Sequence, residues 1–396
     1  MKGSPMKKHA IIPIFIPHEG CPHDCVFCNQ NKITANIQSV EKKDVQNIIE
    51  RNLKTIKENN LETVEIAFFG GSFTGIPIEK QSEYLSIAKD YKDRGLIDKI
   101  HLSTRPDYID EEILSNLKFY GVDVIELGVQ SFDAEVLKAS NRGHSLSCVH
   151  RSSKLVKDWG FELGLQLMIG LPLDTHEKSI QSALEVVKIA PSIARLYPTI
   201  IIKDTELEEM YLRGDYKALS LDNAINTTKE MYKILTGAGI NVIRIGLKSS
   251  DIINESGDIY GETFHPAFSQ LVTGEIAKDF FENELKKQGI VPTKQSNLTS
   301  LASPFNAHCF PIIESAIASS PQNSNATSHT SNTFSQKLTQ YIEVTFSSNA
   351  KSFSNMAGHQ GKNKKYFREH YPNVRISYKL ASNLKDNEYI CSVKSL

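Results

Sequence analysis

The run Ile11-Ile-Pro-Ile-Phe-Ile-Pro17 leads into Cys21-Pro-His-Asp-Cys25-Val-Phe-Cys28, an apolar strand followed by three cysteines at C-x3-C-x2-C spacing. Thiolates are soft ligands that suit iron–sulfur clusters. A four-iron cube normally takes four ligands, so three cysteines leave one iron open to a small ligand. Zinc and a disulfide are the other readings. Structural zinc wants four ligands, usually as two separated pairs. Here the second pair is missing, although His18 or His23 could supply a fourth ligand. A disulfide would leave one cysteine over, and nothing else suggests secretion. The remaining cysteines, Cys148, Cys309 and Cys391, are scattered along the chain and read as buried or incidental thiols rather than a second cluster.

Working outward, apolar runs alternate with amphipathic stretches. Strands are expected at 10–16, 63–69, 99–103, 122–129, 162–169, 193–202 and 240–246. Helices are expected near 41–58, 78–93, 110–119, 133–140, 146–159, 175–189 and 222–236. This alternation implies parallel β/α units. Runs such as Val64-Glu-Ile-Ala-Phe-Phe69 lack clean polar alternation, which suits strands covered on both faces. Polar or glycine motifs follow the strands one after another: Gly70-Gly71-Ser72, Ser103-Thr-Arg-Pro-Asp107, Gln130-Ser131, Gly170-Leu-Pro172 and Tyr197-Pro-Thr199. Barrel enzymes place their active sites at the C-terminal strand ends. The expected fold is α/β, a partial (β/α)6 TIM-type barrel followed by a small α+β module.

The chain has 396 residues, with 45 Lys and Arg against 46 Asp and Glu, so its net charge of −1 neither requires nor excludes nucleic acid. No apolar run reaches membrane-spanning length and the N-terminus lacks a signal-peptide pattern, so a cytoplasmic protein with no membrane partner is expected. The barrel is expected over 1–262 and a helical exit over 263–294. Residues 295–337 are rich in Ser, Asn and Thr, with Glu314 as the one charged side chain up to Gln336, and read as a flexible linker. The α+β module follows at 338–396. Within it, Gly361-Lys-Asn-Lys-Lys-Tyr-Phe-Arg-Glu-His-Tyr371 interleaves basic and aromatic residues. It reads either as a surface that tracks phosphates and stacks bases, or as a solvated helix with an aromatic core face.

These motifs resemble the radical S-adenosylmethionine (SAM) enzymes. The resemblance implies a [4Fe-4S] cluster on Cys21, Cys25 and Cys28, with the aromatic Phe27 before the last cysteine as a further hallmark. It implies SAM on the open iron, split by reduction into methionine and a 5′-deoxyadenosyl radical. Phe68-Phe-Gly-Gly-Ser72 is similar to the family's glycine-rich motif, which places Gly70, Gly71 and Ser72 at the methionine amine; many members carry Glu where this chain has Ser72. Gln130 and Arg142 match in spacing the SAM-contacting pair of oxygen-independent coproporphyrinogen oxidase, where the arginine clamps a carboxylate. Gln166 stands where those enzymes hold the ribose with Asp, and Ile169 and Gly170 would flank the adenine.

A longer resemblance covers residues 9–250. Ser103-Thr-Arg-Pro-Asp-Tyr108, Glu126-Leu-Gly-Val-Gln-Ser131, Asn141-Arg-Gly-His144, Leu196-Tyr-Pro-Thr-Ile200 with Thr205, and Tyr211-Leu-Arg-Gly-Asp-Tyr216 look like the radical SAM half of the Elongator catalytic subunit. That family modifies the wobble uridine of tRNA with SAM and acetyl-CoA. The first cysteine gap is shorter here, and neither the tRNA-binding extension nor the acetyltransferase domain is recognised. The expected activity is radical SAM chemistry on tRNA or a nucleoside, with an external one-electron donor such as a flavodoxin or ferredoxin. A small metabolite or tetrapyrrole substrate is the alternative, and a zinc-binding RNA adaptor a third. Candidate catalytic residues are Arg105, Asp107, His144 and Tyr197, with Arg244 also on the substrate side. An internal ion pair of Arg105 with Asp107 and a packed core tyrosine at 197 are the competing structural readings.

Overall fold

The computed structural model of the chain describes residues 9–16, 21, 25–29, 40–56, 61–247, 258–293 and 341–394. His18, His23, Cys309 and the linker expected over 295–337 lie outside them.

The chain divides into two compact units, Met1–Lys278 and Asp279–Leu396. The first is built on strands β1 (His9–Ile16), β2 (Thr63–Gly70), β3 (Lys99–Thr104), β4 (Val124–Gln130), β5 (Glu162–Ile169) and β6 (Ile193–Pro198). After the two-residue β7 (Ile201–Ile202) comes β8 (Asn241–Ile245), which joins the same sheet. The order is β1-β2-β3-β4-β5-β6-β8, with every neighbouring pair parallel. Sequential parallel order with helical crossovers gives an open, curled half-barrel. Its seven strands correspond to the seven apolar runs expected from the sequence, the last being the 240–246 run. The expected strand over 193–202 is split: Ile201 and Ile202 leave the sheet and pair antiparallel with β9 (Ile259–Tyr260).

Alternation within the strands separates two faces. Ile12, Ile14, Ile66, Phe68, Ile100, Leu102, Ile125, Leu127, Leu163, Leu165, Leu167, Ala194 and Leu196 point to the helices and form one apolar core with Ile49, Leu85, Leu114, Val149, Val186 and Met231. Each fully buried aliphatic side chain there stabilises the fold by roughly 1.5–3 kcal/mol. The intervening positions, among them Glu65, His101, Glu126, Gln166, Arg195 and Tyr197, face the other way. Helix starts are fixed locally: Asp110, Ser145, Thr175, Thr205 and Ser220 each accept a hydrogen bond from a backbone N–H of the first turn.

In the second unit, β10 (Ile342–Ser348) is central between β11 (Val374–Leu380), parallel to it, and β12 (Tyr389–Lys394), antiparallel. Phe281 stacks on Phe346 with centroids 3.7 Å apart, and Phe367 meets both edge-on. Phe281 comes from the helix Phe268–Lys287, so the boundary between the units falls inside that helix rather than on either side of it. The helix Lys362–His370 keeps Phe367 and the following Tyr371 buried, and Tyr366 donates to Glu282 at 2.5 Å.

Candidate functional site

The C-terminal ends of β1 to β5 converge on the cysteine loop. At the end of β2, Gly70 has φ +112°, and a Cβ there would lie 2.3 Å from the Ile16 carbonyl oxygen. Only glycine lets the ends of β1 and β2 approach so closely. Gly71 donates its N–H to that same carbonyl at 3.1 Å. Ser72 Oγ is hydrogen-bonded to Thr104 Oγ1 at 2.7 Å and accepts from Arg105 N at 3.1 Å, which ties the glycine turn to the end of β3.

Two guanidinium groups stand against the thiols. Arg142 donates from Nη1 to Cys25 Sγ at 3.1 Å and from Nη2 to the Gly128 carbonyl at 2.5 Å. Its own carbonyl accepts from Arg105 Nη2 at 2.5 Å. Arg105 is also forked onto Asp107, at 2.9 and 2.8 Å. The internal ion pair weighed from the sequence is therefore present, and it orients Arg105 under the Arg142 loop. Burial pushes the Cys21 thiol up, opposed by the Ser72 backbone and by the charge of Arg105. The Asp107 carboxyl is held low: burial raises it, but the hydrogen bonds and charge of Arg105 outweigh that.

The loop is pinned from the far side. Val26 donates to Ser140 O at 3.3 Å, and its carbonyl accepts from Leu207 N at 2.7 Å. Val26 packs with Ile201, Leu207 and Tyr216, and Phe27 is half-buried against them. Thr205 belongs to this support, capping the helix Glu206–Arg213 and donating to Ile202 O at 2.6 Å. Tyr216 closes its motif by donating to the Gly170 carbonyl at 2.5 Å. Gly170 itself has φ +81°, with room for a Cβ denied by Leu219 at 2.4 Å. A cavity of about 370 Å³ adjoins this end of β5, lined by residues that include Gly170, Asp174, Met210 and Tyr216.

Several sequence-chosen residues thus meet: Cys21, Cys25, Ser72, Arg105, Asp107 and Arg142. His144 lies beside them, buried, with neither ring nitrogen in a well-formed hydrogen bond. Burial, aided by Arg142, pulls it down to about 4, so its imidazole is neutral at pH 7. Gln130, at φ +72°, accepts from Gln166 Nε2 at 3.2 Å, so these two amides form one unit across β4 and β5. Ile169 is in the core under the helices at 1% exposure, so any contact it makes with a ligand falls to its backbone. Tyr197 and Arg244 do not join the cysteine group. Arg244 donates to Gly246 O at 3.3 Å.

Tyr197 instead belongs to a buried network that the sequence reading missed. On the face away from the helices, Arg195 donates from Nε to Glu126 Oε2 at 2.6 Å and from Nη1 to Tyr197 OH at 3.3 Å. His101 lies between Glu65 (Nδ1 to Oε1, 2.7 Å) and Glu126 (Nε2 to Oε2, 3.6 Å). Burial pulls His101 down, but the two carboxylates outweigh it and hold the imidazole up to about 9. The signal was available: each charge sits mid-strand among apolar neighbours, at the alternate positions.

The cysteine group fits an iron–sulfur cluster. Arg142 Nε and Arg105 Nη1 are buried donors without a protein acceptor. An anionic cluster and a ligand carboxylate supply the acceptors that such donors lack. Among the described residues no three Cys, His, Asp or Glu side chains close tightly enough to hold a single metal ion. A cube carries its irons at separate corners and spreads its ligands wider than one ion does.

Residues 15–184 match the Radical SAM superfamily and residues 191–278 the Radical SAM C-terminal domain. An uncharacterized protein of Methanocaldococcus jannaschii is 28% identical over 216 residues, 52% of this chain and 66% of that protein. The tRNA uridine(34) acetyltransferase of Methanocaldococcus infernus is 30% identical over 182 residues, 41% of this chain and 34% of that enzyme. The chain therefore spans about a third of the acetyltransferase's length. The structure of the archaeal Methanocaldococcus infernus Elp3 superposes with TM-score 0.53 at 21% identity, covering 73% of this chain and 70% of that one, and shares its fold.

Proposed function

This chain belongs to the radical SAM superfamily, whose cofactors are a [4Fe-4S] cluster and SAM, and on that premise we propose that it uses them to modify tRNA or a nucleoside. When bound, the cluster would supply the electron for reductive cleavage of SAM, the chemistry by which the family takes a hydrogen atom from its substrates.

The residues of this chain bind and orient. Cys21, Cys25 and Cys28 would hold the cluster. The turn at Gly70 and Gly71 exposes backbone to the methionine amine, with Ser72 held in place by Thr104. Arg142 presents its unpartnered Nε to the methionine carboxylate while its Nη1 steadies Cys25. Gln166 and Gln130, joined by a hydrogen bond, would hold the ribose hydroxyls, and the Gly170 backbone would flank the adenine. His144 stays neutral beside Arg105 and Asp107, because burial and the charge of Arg142 oppose its protonation. The buried Glu65, His101, Glu126 and Arg195 fill the barrel and exclude water beneath the site.

The observation that carries the reading is the convergence of the cysteine loop and two arginines on the ends of the sheet. The tRNA substrate is supported by the order of Elongator-like motifs and by the likeness to the tRNA uridine(34) acetyltransferase. The experiment is 5′-deoxyadenosine release by anaerobically reconstituted, reduced protein with SAM, with and without bulk tRNA. Stimulation by tRNA is expected. Release that tRNA leaves unchanged would move the substrate to a small molecule. The electron donor follows as a flavodoxin or ferredoxin. Among the described residues no helix is long and apolar enough to cross a membrane.

A further inference from the structure

Charge is distributed unevenly along this nearly neutral chain. Of its 45 Lys and Arg and 46 Asp and Glu, residues 341–394 hold nine and four, so this stretch is positive by five and the rest negative by six. The four acids are already engaged. Glu343 pairs with Lys394, Glu369 with Lys365 and Asp386 with Lys351, while Glu388 accepts from the Lys385 backbone N–H. Among the described residues, Lys364, Arg368, Arg375, Lys379 and Lys385 have no carboxylate partner, and all five are exposed.

Four of these cations lie on two elements. Lys364 and Arg368 are four apart on the helix Lys362–His370, one turn from each other on one side. Arg375 and Lys379 share a face of β11, an edge strand. Lys364 lies 5.0 Å from the centre of the Tyr378 ring, which is on the opposite face of β11 from Arg375 and Lys379, so the four cations flank this edge strand from its two sides. The aromatic residues of the helix are already engaged, because Phe367 is buried and the half-buried Tyr366 stacks on His370 with ring centres 4.1 Å apart. A membrane-surface helix would need that apolar face free. Tyr341 is exposed but lies under Arg375, 5.9 Å from its guanidinium, so surplus cations dominate this surface and suit a phosphate backbone contacted independently of sequence.

We infer that residues 341–394 form an RNA-binding surface, with Lys364, Arg368, Arg375 and Lys379 contacting the phosphates of the substrate RNA. This rests on the reading of the substrate as tRNA.

The test uses the full chain and bulk tRNA, with the dissociation constant measured across salt concentrations. The variant carries Lys364→Gln, Arg368→Gln, Arg375→Gln and Lys379→Gln. A charge-matched control carries Lys42→Gln, Lys43→Gln, Arg51→Gln and Lys54→Gln on the helix Lys42–Ile56. All eight positions are exposed, and circular dichroism checks that both proteins fold. The expected result is at least about tenfold weaker binding at 0.1 M salt for the first variant alone. Its log K against log salt slope should be shallower by about three, at roughly 0.7–0.9 for each phosphate no longer neutralised. Release of 5′-deoxyadenosine without RNA should be unchanged. If tRNA still stimulates the enzyme but the variant binds it like the wild type, the surface is wrong and the substrate reading stands. If the wild-type protein binds no tRNA, both fall. Binding to phosphatidylserine vesicles rather than tRNA, abolished in the same variant, would overturn the inference in favour of a membrane surface.

Discussion

Arg142 touches the Cys25 sulfur and the Gly128 carbonyl, and its own carbonyl anchors Arg105. A lysine keeps the charge but not the planar fork that makes these contacts at once. Arg142→Lys should weaken SAM binding to the reconstituted protein about tenfold or more, as expected when a charge-assisted hydrogen bond is removed. A dissociation constant equal to wild type would remove Arg142 from the SAM site. The buried charges beneath it make a different prediction. Glu126→Gln leaves Arg195 buried without its anion, at a cost of about 3–5 kcal/mol in urea melts. His101 is raised from 6.5 to about 9, so its contribution is complete below pH 6.5 and is lost as pH rises through 9. Glu65 and Glu126 are lowered, each by His101 and a further cation against the pull of burial, so their contribution is lost on acidification below 4.5. Stability should therefore decline between pH 6.5 and 9, and His101→Gln should flatten that decline. A decline of the same size in the variant would assign it to other groups.

The strand ends position this chemistry, and they were the most legible feature of the sequence. Apolar runs alternating with amphipathic stretches located seven strands within two or three residues, except where Ile201 and Ile202 swing out to pair with Ile259 and Tyr260. Pro198-Thr199 marks where the strand ends, but the apolar residues resume at once in Ile200-Ile-Ile202, which let one run be read across the break. The glycine turn was readable for the same reason it matters: two adjacent glycines after a strand permit a close approach. Gly70→Ala should push β1 and β2 apart at their C-terminal ends, since the added Cβ meets backbone rather than a movable side chain. Loss of SAM binding together with a lower Tm is the expected outcome. A variant with wild-type affinity would show that the turn tolerates a side chain and does not approach the ligand. The Glu126, Arg195 and His101 network was illegible as a network, because its members come from three strands and only the sheet order brings them together. Likewise the basic and aromatic stretch near residue 366 left two readings open until the packing of Phe367 on Phe346 settled where its rings go.

The chain divides into two compact units. The second rests on a small aromatic cluster in which Phe281 stacks on Phe346 and meets Phe367 and Tyr389 edge-on. Phe281→Ala should cost about 3–5 kcal/mol in that unit. Calorimetry should show its transition moving down while that of the barrel stays in place. A single transition that shifts as one would mean that the units unfold together. The central claim, radical SAM chemistry at the cysteine loop, is tested most directly on anaerobically reconstituted protein. Iron, sulfide and zinc are counted, and SAM cleavage is followed in wild type and Cys25→Ala. About four irons and four sulfides per chain are predicted for the wild type, with reductive release of 5′-deoxyadenosine that Cys25→Ala abolishes. Zinc in place of iron, or cleavage that survives the loss of Cys25, would contradict it.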